Sequence, residues 1–125
     1  MGTPRRSLVA DDHENLADLI AQLLVWDGYT VLAAYDGRQA LDASRTFKPH
    51  LAILDINMPE MDGYSVAEAI RSERPPDDPL VLVAMTAYSQ PADIARAHRA
   101  GFNEHVAKPA DPTRLCALVG SLLHR

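Results

Sequence analysis

The chain has 125 residues, of which 47% are apolar and 23% are charged, and its formal net charge is −5 at pH 7. This length suits one domain with an ordinary hydrophobic core, and these proportions are typical of a globular protein rather than a disordered one. The negative charge and the lack of a basic run argue against a nucleic-acid-binding surface. Arg5 and Arg6 are the only adjacent basic pair, and we expect them in an N-terminal tail.

Cysteine content and the N-terminus bear on the cellular compartment. The single cysteine, Cys116, excludes an internal disulfide and suits a reducing environment. Met1 to Arg6 do not resemble a signal peptide, and the longest apolar runs are far below membrane-spanning length. We therefore expect a cytoplasmic protein without membrane insertion.

The first half of the chain predicts two strands and two helices, because short apolar runs alternate with segments of helical periodicity. Ser7–Ala10 predicts the first strand, and the helix after it ends near Asp27-Gly28, where glycine suits a helix stop. Tyr29–Ala34 predicts the second strand. Asp36-Gly37 opens the second helix, which ends before Pro49.

The third and fourth strands are predicted by the most continuous apolar runs, Leu51–Leu54 and Leu80–Met85. Asp62-Gly63 precedes a third helix between them. Residues 74–79 contain three prolines and predict a loop.

The C-terminal part predicts two more helices around one short strand. Pro91 suits the first turn of the fourth helix, which Gly101 ends. Asn103–Ala107 predicts a half-polar fifth strand, and Pro112–Leu123 predicts a final helix with leucines on one face. The whole pattern is (βα) repeated five times. It predicts a single α/β domain over residues 1–125, with a core from about residue 7 to 123.

Strands that alternate with helices predict a doubly wound parallel sheet covered on both faces. In such sheets ligands bind beyond the carboxyl ends of the strands. Asp11-Asp12 follow the first strand, Asp55 the third, Thr86 the fourth, and Lys108 the fifth. We therefore expect these five residues to share one edge of the sheet.

Three carboxylates at one edge repel one another. Each pair at about 4 Å opposes folding by about 1 kcal/mol in water and about 4 kcal/mol at an effective dielectric constant near 20. The crowding should raise at least one carboxylate pKa. Lys108 supplies one positive charge, and a divalent cation would supply the rest. Ligands that are all oxygen atoms favour Mg²⁺ or Mn²⁺.

These motifs resemble those of the receiver domains of two-component response regulators. They are Asp11-Asp12, Asp55 within LDINMPEMDG, Met85-Thr86-Ala87, and Lys108-Pro109. The resemblance covers the chain from about residue 7 to 123. It implies a flavodoxin-like fold with strand order 2-1-3-4-5. It also implies a signalling domain that takes a phosphoryl group from a histidine kinase or a histidine phosphotransfer domain, and that is not a conventional turnover enzyme.

The resemblance assigns roles at the edge of the sheet. It implies that Asp55 is the phosphoacceptor and that Asp12 and Asp55 bind Mg²⁺ together with the backbone carbonyl of Asn57. Asp11 would bind the ion mainly through water. No other cofactor is implied.

The resemblance also assigns the partners of the phosphoryl group. Thr86 would donate its hydroxyl to one phosphoryl oxygen, and Lys108 would pair with another. The Lys108-Pro109 peptide bond is expected to be cis. Signalling would run through protein contacts on the face formed by helix 4, strand 5 and helix 5.

One residue departs from the family pattern. Receivers usually carry Tyr or Phe three positions before the conserved lysine, and this chain has His105 there. The usual aromatic ring turns inward as the threonine moves toward the phosphoryl group, so we expect a weaker switch at Thr86 and His105. The stretch GFNEHVAKPAD resembles receivers of hybrid histidine kinases and phosphorelays.

Each site residue taken alone also has a simpler interpretation. Asp11-Asp12 could cap the first helix, Thr86 could be an ordinary β-branched strand residue, and a strand-terminal Asp55 could be merely solvated. Cys116 is better explained as a small packing residue than as a nucleophile.

Two other functions compete with the receiver interpretation. A haloacid-dehalogenase-like phosphatase also uses a strand-end aspartate and Mg²⁺, but its second carboxylate two positions later is replaced here by Asn57. A flavodoxin-like cofactor-binding module needs a Ser/Thr/Gly-rich phosphate loop after the first strand. The acidic residues Asp11-Asp12 would repel a phosphate there.

Overall fold

The computed structural model describes residues 4–87 and 90–124. Strands and helices alternate through this part of the chain. The strands are β1 (Arg6–Ala10), β2 (Thr30–Ala34), β3 (Leu51–Asp55), β4 (Val81–Thr86) and β5 (Glu104–Ala107). The helices are α1 (Glu14–Trp26), α2 (Gly37–Phe47), α3 (Gly63–Ser72), α4 (Pro91–Ala100) and α5 (Pro112–Leu123).

The five strands form one parallel sheet in the order β2-β1-β3-β4-β5. The (βα)₅ architecture and the strand order expected from the resemblance are both confirmed. Asp55 pairs in register with Met85, and Thr86 pairs with Ala107. The carboxyl ends of the strands therefore meet at one edge, as predicted.

Two hydrophobic clusters hold the helices against the sheet. On β3, Ala52 and Leu54 face the cluster beneath α2, α3 and α4, and Leu51 and Ile53 face the cluster beneath α1 and α5. All four residues of this run are fully buried. Burial on both faces explains why the run is continuously apolar rather than alternating.

Side chains that accept hydrogen bonds from the first helical turn fix where the helices start. Asp36 accepts from the backbone N–H of Gln39, and Asp62 accepts from that of Ser65. The proposed cap of α1 by Asp11-Asp12 is wrong, because Nδ1 of His13 accepts the bond from Leu16. Asp11 instead accepts from the backbone N–H of His13 at 2.9 Å.

The strand boundaries differ from the predicted ones by one residue, and the earlier start of β1 changes the interpretation of Arg6. Arg6 begins β1 and does not lie in a tail. Its guanidinium donates to the carbonyls of Phe47 and Lys48 at 2.9 and 2.8 Å, which satisfies acceptors at the end of α2.

Within the described residues, no helix is both long enough and apolar enough to cross a membrane.

Candidate functional site

The structure places the predicted site residues at the carboxyl edge of the sheet. Asp11 follows β1, Asp55 is the last residue of β3, Thr86 is the last residue of β4, and Lys108 follows β5. Asp11, Asp55 and Thr86 are only 0, 2 and 4% exposed, whereas Asp12 is exposed. The strand ends thus bring polar side chains into an otherwise apolar layer.

Lys108 bridges two of the three carboxylates. Its Nζ atom lies 3.0 Å from Oδ2 of Asp55 and 3.2 Å from Oδ2 of Asp11. Carboxylate oxygens of Asp11, Asp12 and Asp55 all lie within 4.8 Å of one another. One ammonium therefore faces three carboxylates, and the cluster keeps a surplus of negative charge.

This donor set fits a hard divalent cation. Oδ2 of Asp11 is buried, and among the described residues it has the ionic contact with Lys108 but no hydrogen-bond partner. Oxygen atoms of three carboxylates are ligands that Mg²⁺ and Mn²⁺ prefer, and no soft ligand lies among them. Met58, the nearest candidate for a sulfur ligand in the sequence, is buried in the cluster beneath α2, α3 and α4.

Burial and charge shift the pKa values of both partners. Burial raises the pKa of Asp55 from its ordinary value of 3.8 to about 6. The hydrogen bond from Lys108 opposes this rise, and the charge of Asp11 adds to it. Burial lowers the pKa of Lys108, but the close contacts with Asp55 and Asp11 and their negative charges outweigh burial and raise it. Crowding was expected to raise a carboxylate pKa; the direction is confirmed, although burial is the main cause.

The loop after β3 continues the site. The backbone N–H of Asn57 donates to Oδ1 of Asp55 at 3.3 Å, which fixes one carboxylate oxygen relative to this loop. Asn57 is exposed, and the next residue, Met58, is buried. The Asn57 carbonyl as a metal ligand stays a prediction.

The strand end at Thr86 is tied directly to Lys108. The backbone N–H of Lys108 donates to the carbonyl of Thr86 at 2.8 Å, and the Lys108-Pro109 peptide bond is cis, as the resemblance implies. His105 is half-buried on β5 and pairs in register with Ala84, which belongs to the cluster beneath α2, α3 and α4. A conformational role of Thr86 and His105 stays a prediction.

Two glycines that position the site were interpreted from sequence only as helix openers. A Cβ atom on Gly63 would lie 2.5 Å from the Asp55 carbonyl oxygen and 2.8 Å from Cα of Ile56. A Cβ atom on Gly37 would overlap the Met61 carbonyl, and the Gly37 N–H donates to the Pro59 carbonyl. Both glycines therefore let the loop after β3 pack closely. In the sequence, the signal for these two glycines is the Asp-Gly pair that precedes each helix, Asp36-Gly37 before α2 and Asp62-Gly63 before α3.

The sequence matches known proteins along nearly the whole chain. Residues 8–120 match the family described as the response regulator receiver domain. A protein of Leptolyngbya boryana, an uncharacterized 14.6 kDa protein in the sodA1 3′ region, is 38% identical over 112 residues, which are 90% of this chain and 85% of the relative.

Two further comparisons concern a larger regulator and a solved structure. The DNA-binding response regulator MtrA of Mycolicibacterium smegmatis is 33% identical over 121 residues, which are 97% of this chain but 51% of that protein. This chain therefore spans about half the length of that relative. The crystal structure of a CheY-like response regulator receiver domain protein from Methanospirillum hungatei has a TM-score of 0.87 at 26% identity, covering 97% of this chain and 94% of that one.

Proposed function

This chain belongs to the response regulator receiver domain family, which is not a family of conventional enzymes, and we propose that Asp55 is its phosphoacceptor. The observation that carries the proposal is the contact of one ammonium, from Lys108, with both Asp55 and Asp11. A buried carboxylate beside a cation and two further acids has the parts that accept a phosphoryl group and hold its charge.

The transfer itself needs an ionised Asp55. With a pKa of about 6, this carboxylate is mostly ionised at neutral pH. One of its oxygens forms a bond to phosphorus while the bond between phosphorus and the donor's imidazole nitrogen breaks, and that nitrogen keeps the electron pair. We propose that the same residues assist removal of the group: a water oxygen forms a bond to phosphorus while the bond between phosphorus and the Asp55 oxygen breaks, the carboxylate keeps the electron pair, and inorganic phosphate leaves with the proton of the water.

Other residues of the edge hold the transferred charge. Mg²⁺ or Mn²⁺, bound by Asp11, Asp12, Asp55 and the Asn57 carbonyl, would neutralise charge on the phosphoryl oxygens. The ammonium of Lys108, now shared by two carboxylates, would pair with another phosphoryl oxygen, and the Thr86 hydroxyl would donate to a third. Phosphorylation replaces one carboxylate charge by a larger charge, so these donors become more strongly attracted to it.

The receiver family implies a histidine kinase as partner, and we propose that the donor is the phosphohistidine of a kinase or of a histidine phosphotransfer domain. Output would pass through protein contacts on the face of α4, β5 and α5, which contains His105. The DNA-binding function of MtrA belongs to that longer protein. The phosphatase and flavodoxin-like alternatives are not favoured by the family match.

The test is phosphorylation by phosphoramidate, a small donor whose phosphorus–nitrogen bond resembles that of phosphohistidine, in the presence of Mg²⁺. Intact-mass spectrometry should find one added phosphoryl group on the wild type and on the control Asp77→Asn, which changes an exposed acid in the proline-rich loop. Asp55→Asn should take up none. Labelling of Asp55→Asn to the wild-type extent would overturn the assignment.

A further inference from the structure

A cavity of about 390 Å³ lies at the amino edge of the sheet, opposite the carboxyl edge that holds Asp55. Residues at the starts of strands line it, since Arg6 begins β1 and Val81 begins β4. Another lining residue, His50, comes just before β3, which ends at Asp55. About 16 Å of strand therefore separates this cavity from the phosphoacceptor edge.

The charge that lines the cavity is mostly positive. The residues with a full charge are Arg5, Arg6, Lys48, Arg74 and Asp78. Four cations and one carboxylate leave a surplus of three positive charges, in a protein whose formal net charge is −5. Among the described residues, Arg5, Arg6 and Lys48 pair with no carboxylate. The cavity therefore holds positive charge that the protein itself does not compensate.

The one carboxylate of the lining is already engaged on both oxygens. Oδ1 of Asp78 accepts from the backbone N–H of Leu80 at 2.9 Å, and Oδ2 lies 3.4 Å from Nη1 of Arg74. Asp78 thus fixes the turn before β4 and compensates part of the charge of Arg74. It leaves the other three cations to a ligand.

Backbone carbonyls at the end of α2 hold two of the guanidinium groups in place. Arg6 donates to the carbonyls of Phe47 and Lys48, and Nη2 of Arg74 donates to the Ser44 carbonyl at 3.2 Å. Nη1 of Arg6 and Nε of Arg74 donate to no acceptor in the described part of the chain, so both groups keep N–H donors for a ligand. Because these groups are oriented before a ligand arrives, binding loses less side-chain entropy.

His50 adds a neutral donor to the lining. Its Nδ1 atom accepts from the backbone N–H of Arg6 at 2.9 Å, which puts the proton of the neutral ring on Nε2. Burial lowers the pKa of His50, and the charges of Arg6 and Arg5 lower it further. The ring is therefore neutral at pH 7 and has one N–H group that can donate to an anion.

The rest of the lining is largely apolar. Leu122 and Leu123 at the end of α5 and Leu80 before β4 are buried and line the cavity beside the cations. A ligand that fits both parts has an anionic head and an apolar body. The volume lies in the range of small-molecule sites, which is about 300–1,000 Å³.

The charge surplus favours a phosphate monoester over a carboxylate as the anionic head. A phosphate monoester carries a charge of about −1.5 to −2 at pH 7 and has three strong acceptor oxygens. A carboxylate carries a single charge on two oxygens. Guanidinium groups bind phosphate through paired N–H donors, and an ammonium adds a point charge.

We propose that this cavity binds a small organic phosphate, whose phosphate group is held by Arg5, Arg6, Lys48 and Arg74 and whose organic part lies on the apolar lining. The site goes beyond the proposed phosphoryl transfer and does not depend on it, because it lies at the other edge of the sheet. The size of the cavity and the negative charge of the whole protein disfavour a nucleic acid.

A soluble ligand suits the cavity better than the head group of a membrane lipid. In the described part of the chain, the large apolar side chains exposed to solvent are Leu19, Val25, Trp26 and Leu32. None of them lines the cavity, so no large exposed apolar side chain stands beside the cations to enter a bilayer.

The experiment titrates the full chain in EDTA, so that no metal ion draws phosphate to the carboxyl edge. The probes are phenyl phosphate, benzoate, which replaces the phosphate by a carboxylate, and inorganic phosphate, which lacks the ring. Phenyl phosphate should shift the ¹H–¹⁵N signals of His50, Leu80 and Val81, with a dissociation constant of about 1 mM for its roughly eleven non-hydrogen atoms. Each of the other two probes should bind at least about threefold more weakly, because each lacks one part of the ligand.

Matched variants locate the site. Arg5→Gln and Lys48→Met should each weaken phenyl phosphate binding about threefold, the size of an exposed charge contribution, and together on the order of tenfold. Asp78→Asn keeps an oxygen for the Leu80 N–H but removes the negative charge, so it should tighten binding about threefold. Arg38→Gln is the control of equal charge, because Arg38 is exposed in the first turn of α2 and does not line the cavity.

Four results would overturn the proposal. The first is the absence of shifts at about 10 mM phenyl phosphate, ten times the expected dissociation constant. The second is a set of shifts confined to the loops around Asp12 and Asp55. The others are a double variant Arg5→Gln/Lys48→Met that binds as tightly as Arg38→Gln does, and benzoate binding as tight as that of phenyl phosphate.

Vesicles that contain phosphatidic acid test the lipid as the source of the phosphate monoester. The protein should not sediment with them. Sedimentation that the double variant Arg5→Gln/Lys48→Met abolishes, without binding of phenyl phosphate, would assign the cavity to a lipid head group and reject the soluble ligand.

Discussion

The Nζ atom of Lys108 lies 3.0 Å from Oδ2 of Asp55, and the backbone N–H of the same lysine is bonded to the strand end at Thr86. Lys108 therefore links the charge state of Asp55 to the end of β4 through one residue. Removing its ammonium should leave the buried Asp11 and Asp55 carboxylates without this cation.

Lys108→Met should destabilise the metal-free protein by about 1–3 kcal/mol at pH 7, which is less than for a fully buried pair because Lys108 is 25% exposed. Mg²⁺ should recover part of the loss by replacing the missing charge. Urea unfolding in EDTA and in Mg²⁺ measures both effects. Lys48, the only other lysine, is exposed, so Lys48→Met is the control and should change stability far less.

Mg²⁺ should raise the melting temperature of the wild type, because the ion binds the folded cluster and not the unfolded chain. Saturation at 100 times the dissociation constant stabilises by about 2.7 kcal/mol. Asp12→Ala should lose most of this response, whereas the exposed loop variant Asp77→Ala should keep it. An Asp12→Ala protein that responds to Mg²⁺ as strongly as the wild type does would exclude Asp12 as a ligand.

The raised pKa of Asp55 predicts a pH dependence of the metal-free protein. Between pH 3.8 and about 6 the folded state holds a proton on Asp55 that the unfolded state has lost, so this group makes the free energy of unfolding fall as pH rises. The shift corresponds to about 3 kcal/mol, and water at the open edge reduces it to about 1–2 kcal/mol. Asp55→Asn lacks this dependence.

The measurement is urea unfolding of both proteins in EDTA from pH 4 to 7. The advantage of Asp55→Asn over the wild type should grow with pH up to about 6 and then stay constant. An advantage that is the same at pH 4 and pH 7 would show that Asp55 has an ordinary pKa in the folded protein.

Gly63→Ala should disturb the site through its loop. The added Cβ meets the Asp55 backbone within 3 Å, so the loop must move, at about 1–3 kcal/mol of stability and with weaker Mg²⁺ binding. Gly120→Ala is the matched control. Its nearest neighbour would be the Tyr29 hydroxyl at 3.9 Å, and alanine within α5 should stabilise by about 0.5–1 kcal/mol without changing Mg²⁺ affinity.

His105→Tyr should strengthen the response of the domain to phosphorylation. A buried aromatic ring contributes about 1.5–3 kcal/mol to an inward position, and imidazole contributes less because it is smaller and polar. NMR spectra with and without beryllofluoride should therefore show larger shifts in α4, β5 and α5 for His105→Tyr than for the wild type. Equal and large shifts in both proteins would contradict a weak switch at His105.

The architecture could be predicted from the sequence because the signals for strands and for helix starts agree with one another. Apolar runs such as Leu51–Leu54 are long enough for a strand buried on two faces, and Asp-Gly pairs mark the helix starts at Gly37 and Gly63. The strand order came from family resemblance, since periodicity says which segments are strands but not which strands are neighbours. The interpretation of Arg6 as a tail residue failed because its hydrogen-bond acceptors, the carbonyls at the end of α2, lie more than 40 positions away.

The sequence by itself determined the fold class and the edge at which Asp11, Asp55, Thr86 and Lys108 meet, because parallel strands must place their carboxyl ends together. Only the tertiary structure decided which of these side chains touch, what caps α1, and why Gly63 must be glycine. It also decided that Trp26 is exposed in a groove beside α5 while Leu24 is buried. The physical reason is that contact, burial and pKa depend on distances between atoms far apart in the chain, and those distances are set by how the helices pack against the sheet.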